Sequence, residues 1–297
     1  MRLLLFGVIY SEVEKFLGDY FYSIDFQTNK KFTLLIVEDN CKLPKNYYRN
    51  NLFIKKSNFG DTPADIRYFG IEYAKQHGYD IVIFTDCDDY YSKNRIEETL
   101  VALEDVDFCV SKTVSVLDKS KTISKNNAIL IPDNIDISKI LVSNYFGLSN
   151  TALRLNSLPD NFYIPSDIVA VDWWIYTLLI LNKKKYSYAD NIVTYYRQHE
   201  NNLVGLKYCL NEIMLKKGIA VKLIHYKRLV EYCKMSKMSD YISLMEDLIL
   251  QLECLKQKIS DKDFRNHYIE VINKNINKIK TGWWSEILPL NEWRKYE

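Results

Sequence analysis

The sequence predicts an α/β fold: a mixed, mainly parallel sheet flanked by helices, followed by a C-terminal α-helical extension. From Leu3 to Tyr91, short apolar runs alternate with amphipathic stretches, which is typical of a largely parallel sheet with helices on its faces. The run Ile81–Phe84 carries no charge, as expected of a strand that is buried on both faces. Beyond residue 205 the strand patterns stop and long amphipathic helical patterns follow. We therefore predict an α/β domain at 1–205 and a helical region at 206–297.

The order of the elements follows from the spacing of apolar residues and from the residues that end each run. Pro63 suits the first turn of a helix, with Asp61 or Thr62 as its cap, and Gly78 suits the position just past its end. The segment Asn144–Arg154 is rich in turn-forming residues and is predicted to be loop. The predicted strands are Leu3–Tyr10, Phe32–Val37, Leu52–Lys55, Ile81–Phe84, Phe108–Leu117, Ala128–Ile131 and Tyr186–His199. The predicted helices are Val13–Phe26, one from Pro63, Asn94–Leu103, Val169–Leu181, Leu206–Lys234, Asp240–Ile259 and Asp263–Ile279.

The composition is that of a globular protein in a reducing compartment. A net charge of +2 over 297 residues gives no sign of nucleic-acid binding. Six cysteines without a C-x-x-C pair predict free thiols. The N-terminal apolar run is short and soon meets Glu12 and Glu14, which favours a strand over a signal peptide. The run Ile168–Leu181 is interrupted by Asp172 and is too short to span a membrane. We predict a cytoplasmic protein, at most peripheral at the inner face of the membrane.

Three carboxylates crowd the end of the strand Ile81–Phe84, at Asp86, Asp88 and Asp89. Two negative charges about 4 Å apart repel by about 1 kcal/mol in water and by about 4 kcal/mol near a protein surface. A bound cation would relieve this repulsion, and Mg²⁺ typically uses one or two carboxylates together with substrate phosphates. The alternative is a solvated turn, with Asp89 as the cap of the next helix.

Three segments together resemble the family 2 glycosyltransferases of the GT-A fold, which are inverting enzymes that use nucleotide-diphosphate sugars. The segments are FTDCDDYYSKNRIE, VDWWIYTLL and YYRQHENN, which are similar to the family's D-x-D-D strand end, its acidic catalytic motif and a Y-R-x-H-x-x-N segment. Each motif alone is weak, whereas their order and spacing are specific. The resemblance covers about Leu3 to Gly205.

The resemblance implies a metal site and a catalytic base. Asp86 and Asp88 would carry the metal motif, with Asp88 as the direct ligand to Mn²⁺ or Mg²⁺, and His199 would add a metal or phosphate contact. Asp172 would be the general base that takes the proton of the acceptor hydroxyl. The alternatives are an exposed loop histidine for His199 and, for Asp172, a carboxylate that only favours a helix N-terminus.

The resemblance also implies residues that bind the donor and the acceptor. The donor residues would be Tyr10, Glu12, Asp39, Arg67, Asp86 and Arg197; the acceptor residues would be Gly147, Trp173 and Trp174. For Arg197 the alternative is a surface charge, for Gly147 a turn residue, and for the tryptophans core packing. The sequence departs from the family after Arg67 and after Asp39, where Tyr68 and Asn40–Cys41 stand in place of the usual residues.

We expect transfer of a hexose from a UDP- or dTDP-sugar to a saccharide or lipid-linked saccharide hydroxyl, in surface-polysaccharide biosynthesis. One alternative is an inactive carbohydrate-binding or scaffold protein on the same fold. A sugar-nucleotide pyrophosphorylase is another, but it would need a glycine-rich phosphate loop after the first strand, where this chain has VIYSEVEKF. The helical region has Lys-rich faces and carries Trp283, Trp284 and Trp293, which suit contact with a membrane surface or a partner; a cap on the catalytic domain is the alternative.

Overall fold

The structure is a computed structural model that describes residues 1–117, 131–198 and 209–297. Contacts divide the chain into two compact units. The first, here called the sheet unit, comprises Met1–Ile137, Phe146–Ser166 and Val171–Gly205. The second, the helical unit, comprises Ser138–Tyr145, Asp167–Ala170 and Leu206–Glu297. The boundary predicted at residue 205 lies outside the described residues.

Eight strands of the described residues form one sheet in the sheet unit. They are β1 (Leu3–Ile9), β2 (Thr33–Glu38), β3 (Leu52–Lys55), β4 (Ile81–Asp86), β5 (Tyr90–Tyr91), β6 (Phe108–Leu117), β7 (Thr151–Arg154) and β8 (Tyr186–Gln198). Their order is β3-β2-β1-β4-β7-β6-β8-β5. β1 pairs in parallel with β2 and β4, β2 with β3, and β6 with β8, while β7 runs antiparallel between β4 and β6 and β5 runs antiparallel to β8.

Helices flank this sheet, and their ends follow the sequence signals. The helices of the sheet unit are α1 (Leu17–Asp25), α2 (Pro63–Gln76), α3 (Arg95–Ala102) and α5 (Val171–Leu181). Thr62 caps α2 in a capping box with Asp65, and Gly78 follows its end at φ +66°, as predicted. Gly70 lets α2 approach the sheet, because a Cβ there would lie 2.3 Å from the Phe6 ring. The predicted α/β fold with a mixed, mainly parallel sheet is confirmed.

Several boundaries differ from the prediction. The segment predicted as loop contains β7, which is held by pairing on both sides although it is only four residues long. The helix predicted from Val13 begins as a 3₁₀ turn at Ser11–Phe16, and α5 begins at Val171 rather than Val169. The predicted strand Ala128–Ile131 lies almost entirely outside the described residues.

The helical unit contains the remaining helices. They are α6 (Glu212–Met235), α7 (Ile242–Lys258), α8 (Lys262–Lys274), α9 (Ile276–Ile279), α10 (Leu290–Trp293) and all but the first residue of α4 (Ile137–Val142). Trp283, Trp284 and Trp293 are at most 7% exposed. These indoles are therefore unavailable for the membrane contact considered from the sequence. No helix in the described ranges is both long and apolar enough to cross a bilayer.

Candidate active site

Three neighbouring parallel strands bring polar residues to one edge of the sheet. Val8 of β1 lies opposite Asp86 of β4, and the N–H of Asp39, just past β2, donates to the carbonyl of Ile9 at 2.8 Å. Tyr10 follows β1 directly. Open α/β sheets bind ligands at the carboxyl ends of their strands. The fold thus places residues predicted for donor and metal binding at a position suited to a ligand.

A pair of carboxylates, Asp86 and Asp88, dominates the electrostatics of this edge. Asp86 is half-buried and Asp88 is 8% exposed. Burial, followed by the charge of the Asp88 carboxylate, raises the pKa of Asp86 to about 7, against the opposing charge of Arg67. Asp172 also raises the pKa of Asp86. Because side chains affect a pKa in this way only from close by, Arg67 and Asp172 lie near Asp86.

Tyr10 and Glu12, which the sequence assigned to donor binding, occupy different environments. The Tyr10 hydroxyl lies 3.4 Å from Asp88 Oδ2, a long hydrogen bond, and burial, followed by the charge of Asp88, raises the Tyr10 pKa. Tyr10 is therefore a neutral donor beside the carboxylates. Glu12 is exposed, accepts from the Ser11 hydroxyl at 2.9 Å, and contributes to the raised pKa of Cys41.

Asp172 lies in the first turn of α5, half-buried, where its Oδ1 accepts the N–H of Trp173 at 2.7 Å. Trp173 and Trp174 have no exposed surface, and the Trp174 indole donates to the carbonyl of Tyr163 at 2.7 Å. Stacking on a sugar would require an exposed ring. The acceptor role expected for the two tryptophans does not fit this arrangement, whereas core packing does.

Arg197 is held inside the protein. It is 2% exposed, its Nε donates to the Asp88 carbonyl at 2.8 Å, and its Nη2 contacts Asp19 Oδ2 at 2.7 Å. The donor contact that the resemblance implied for Arg197 would need an exposed guanidinium. Asp89 is fully buried and does not cap α3, because Asn94 occupies the N-cap position.

The roles predicted for His199 and Gly147 are not tested by the described geometry. His199 lies outside the described residues. Gly147 is buried, and its carbonyl accepts the Thr151 hydroxyl at 2.8 Å. Its expected role at the acceptor stays a prediction.

A polar cavity of about 350 Å³ lies beyond the ends of β2 and β3 and the start of α2. Asp39, which the resemblance assigned to donor binding, lines it. Sequence reasoning missed Lys42 and Lys56, which supply its positive charge, although both follow predicted strands closely. The other lining residues are Glu38, Asn40, Cys41, Ser57, Asp61 and Ile66.

The donor set at the end of β4 fits a hard divalent cation that also binds a diphosphate. Within the described ranges no three His, Cys, Asp or Glu side chains are arranged to hold a metal on their own. Mg²⁺ and Mn²⁺ need no such group when phosphate oxygens complete the coordination. Burial and the neighbouring charge of Asp88 raise the pKa of Asp86, and a bound cation would favour its ionised form. Asp86 and Asp88 are thus suited to hold the ion.

Solved structures with the same fold include proteins that bind nucleotide sugars. No known family model matches the sequence, and no curated protein is significantly similar to it. At the identities given below, the likeness to solved structures establishes the fold.

Two proteins illustrate the likeness. TarS 1–349 of S. aureus with UDP-GlcNAc is 18% identical, with a TM-score of 0.54 over 76% of this chain and 66% of TarS 1–349. The same protein with UDP gives 16% identity and a TM-score of 0.54 over 90% of this chain and 75% of that one. The mannosyltransferase PcManGT of Pyrobaculum calidifontis, with GDP-Man and Mn²⁺, is 12% identical, with a TM-score of 0.52 over 77% of this chain and 64% of its own.

Proposed function

We propose that the chain is a metal-dependent, inverting glycosyltransferase of the family 2 type. It transfers a hexose from a UDP- or dTDP-linked sugar to a hydroxyl of a saccharide or lipid-linked saccharide. One observation carries the proposal: the charge of Asp172, on α5, raises the pKa of Asp86, a member of the carboxylate pair at the end of β4. A base opposite a metal-bound leaving group is the arrangement that inversion requires. Glycosyltransferases with bound nucleotide sugars among the structural neighbours support it.

The donor would lie along the carboxyl ends of β1, β2 and β4. Its nucleoside would occupy the 350 Å³ cavity lined by Asp39, and its diphosphate would extend toward Asp86, Asp88 and Arg67. Arg67 acts electrostatically on Asp86 and would neutralise part of the phosphate charge. Tyr10, a neutral hydroxyl 3.4 Å from Asp88, is placed to donate to a carboxylate or a phosphate oxygen.

In the proposed reaction the acceptor oxygen bonds to the anomeric carbon while the bond from that carbon to the diphosphate oxygen breaks. Asp172 takes the proton of the acceptor hydroxyl, and the nucleoside diphosphate leaves with the bonding electron pair. Mn²⁺ or Mg²⁺, when bound by Asp86 and Asp88, neutralises the charge that the leaving group gains. The buried Trp173 and Trp174 fix the first turn of α5 and so hold Asp172 in place.

We place the reaction in the cytoplasm or at the inner face of the membrane, in surface-polysaccharide biosynthesis, because of the motifs that the sequence shares with that family. Contact of the helical unit with a membrane or partner is supported by its Lys-rich faces but not by its tryptophans, which are buried.

The test compares the wild type with Asp172→Asn, Asp88→Asn and the control Asp25→Asn, whose carboxylate is exposed and pairs with Arg49 on the same unit. Thermal stabilisation by a panel of nucleotide sugars, with and without Mn²⁺, identifies the donor. We expect Asp172→Asn to bind that donor and not transfer its sugar, Asp88→Asn to lose the Mn²⁺-dependent stabilisation, and Asp25→Asn to behave as wild type. Donor binding without turnover by the wild type, over a panel of acceptors, would favour the scaffold alternative.

A further inference from the structure

Asp89, the third carboxylate at the end of β4, forms hydrogen bonds with other residues of the protein through both of its side-chain oxygens. Its side chain is fully buried, its Oδ1 accepts the N–H of Arg197 at 2.9 Å, and its Oδ2 accepts the hydroxyl of Ser149 at 2.6 Å. Ser149 stands two residues before β7, and Arg197 lies near the end of β8. Asp89 therefore ties the loop after β4 to two other strands of the sheet unit.

The Arg197 guanidinium also forms a hydrogen bond with Asp88, the residue before Asp89. Its Nε–H donates to the carbonyl of Asp88 at 2.8 Å, and its Nη2 pairs with Asp19 of α1 at 2.7 Å. The guanidinium carbon lies 4.6 Å from the centre of the Phe16 ring. One buried side chain thus connects the backbone of Asp88 to α1, while the backbone N–H of the same residue binds Asp89.

These contacts surround Asp88 without using its carboxylate. The carbonyl of Asp88 accepts a hydrogen bond from Arg197. Both carboxylate oxygens of the next residue, Asp89, also accept hydrogen bonds. The loop is therefore held through its backbone at Asp88, and the Tyr10 hydroxyl lies 3.4 Å from Asp88 Oδ2. A cation ligand must be held to within about 0.5 Å of its productive position, and partners behind the ligand do this.

We infer that Arg197, together with Asp89 and Asp19, is a positioning network that fixes Asp88 for cation binding, and that Arg197 does not touch the donor. The inference rests on the proposed function for the identity of the cation. It replaces the donor-binding role that the resemblance implied for Arg197. Lysine cannot substitute, because a single ammonium group cannot reach the Asp88 carbonyl and Asp19 in the geometry of the planar guanidinium.

The test is Arg197→Lys, with Arg154→Lys as its matched control. Arg154 also donates from Nε to a backbone carbonyl, that of Leu103 at 3.0 Å, but it pairs with Ile81 at the opposite end of β4. Calorimetry measures the dissociation constant of Mn²⁺ in the presence of UDP, and that of UDP in EDTA. Removing a residue that supports a metal ligand typically costs 10- to 100-fold in metal affinity.

We expect Arg197→Lys to weaken Mn²⁺ binding about 10-fold or more while leaving UDP binding in EDTA within about twofold. Arg154→Lys should change neither constant. Unchanged Mn²⁺ affinity in a folded Arg197→Lys protein overturns the inference, as does a loss of UDP affinity in EDTA, which would mean a direct diphosphate contact. If the wild type itself binds no Mn²⁺ with UDP, the metal-dependent function fails and the inference fails with it.

A milder variant keeps the inference testable if Arg197→Lys does not fold. Asp19→Asn leaves the bond from Arg197 to the Asp88 carbonyl intact and removes only a carboxylate whose side chain is 41% exposed. Asp25→Asn is its control, because it lies on the same helix and also pairs with an arginine, Arg49. We expect Asp19→Asn to weaken Mn²⁺ binding about threefold, in the range of a charge-assisted hydrogen bond to a partly exposed group. Equal Mn²⁺ affinity for the two variants contradicts the network.

Discussion

Replacing Asp86 by asparagine should stabilise the metal-free protein at alkaline pH while abolishing the additional stabilisation that Mn²⁺ gives in the presence of UDP. In the unfolded chain Asp86 ionises near 3.8, whereas burial and Asp88 raise its pKa in the folded protein to about 7. Between these values the folded state keeps a proton that the unfolded state has lost. The free energy of unfolding therefore falls as the pH rises from about 4 to about 7, and this loss is complete above pH 7.

The size of the effect follows from the two pKa values. A difference of one pH unit corresponds to 1.36 kcal/mol, so about three units correspond to about 4 kcal/mol. This is an upper limit, because the Asp86 side chain is only half-buried and solvent screens part of its charge. Asp86→Asn removes the charge at every pH. Its free energy of unfolding should therefore exceed that of the wild type by about 2 to 4 kcal/mol at pH 8 and by much less at pH 4.5.

The assay is urea unfolding in EDTA at both pH values, with Asp25→Asn as the control for loss of an exposed carboxylate. Mn²⁺ is then added at pH 8 in the presence of UDP, where it should further stabilise the wild type and not Asp86→Asn, because a ligand that binds only the folded state raises its stability. An equal increase in the free energy of unfolding at pH 4.5 and pH 8 would refute the electrostatic reasoning. Further stabilisation of Asp86→Asn when Mn²⁺ is added to UDP would refute the metal assignment.

Three further predictions concern the scaffold. Gly70→Ala forces a Cβ against Phe6 and should cost about 1 to 3 kcal/mol in urea unfolding, and a smaller residue at position 6 should restore part of it; no loss would contradict the close approach. Thr62→Ala removes the cap of α2 and should cost about 1 kcal/mol by the same measurement, whereas Thr62→Ser should not. Burial lowers the pKa of Lys222 from 10.5 to about 7, so the unfolded chain holds the extra proton between these values and stability should rise with pH there; Lys222→Met should remove that rise in unfolding midpoints.

The sequence was sufficient for the parts of the fold that local chemistry determines. β3 and β6 have the predicted bounds, and α2 begins and ends where Pro63 and Gly78 indicate, because apolar runs and caps act within a few residues. β7 escaped prediction because its four residues are held by β4 and β6 rather than by their own propensity. Pairing between distant segments carries no local signal in a single sequence.

The candidate site likewise contains residues whose position the sequence could predict and residues whose position it could not. Asp86 and Asp88 follow a recognisable strand, so the carboxylate pair could be predicted from neighbouring residues alone. The position of Arg197 could not, because its partner Asp19 lies on α1, 178 residues away in the sequence. The buried state of Trp173 and Trp174 depends likewise on the packing of α5. Residue type suggests a role, but three-dimensional packing decides whether a side chain can reach a ligand.

The helical unit is discontinuous in sequence, and this limits how the gene can be divided. Lys222 donates to the carbonyl of Val142 at 2.8 Å, Tyr226 hydrogen-bonds the carbonyl of Leu141, and Arg228 pairs with Asp167 at 2.9 Å. A stop codon after residue 205 would thus leave behind two stretches, Ser138–Tyr145 and Asp167–Ala170, whose binding partners had been deleted. Apolar side chains such as Leu141 would then meet water, and the shortened polypeptide would tend to aggregate. We expect the two halves, encoded as separate fragments, to fold only when they are co-expressed.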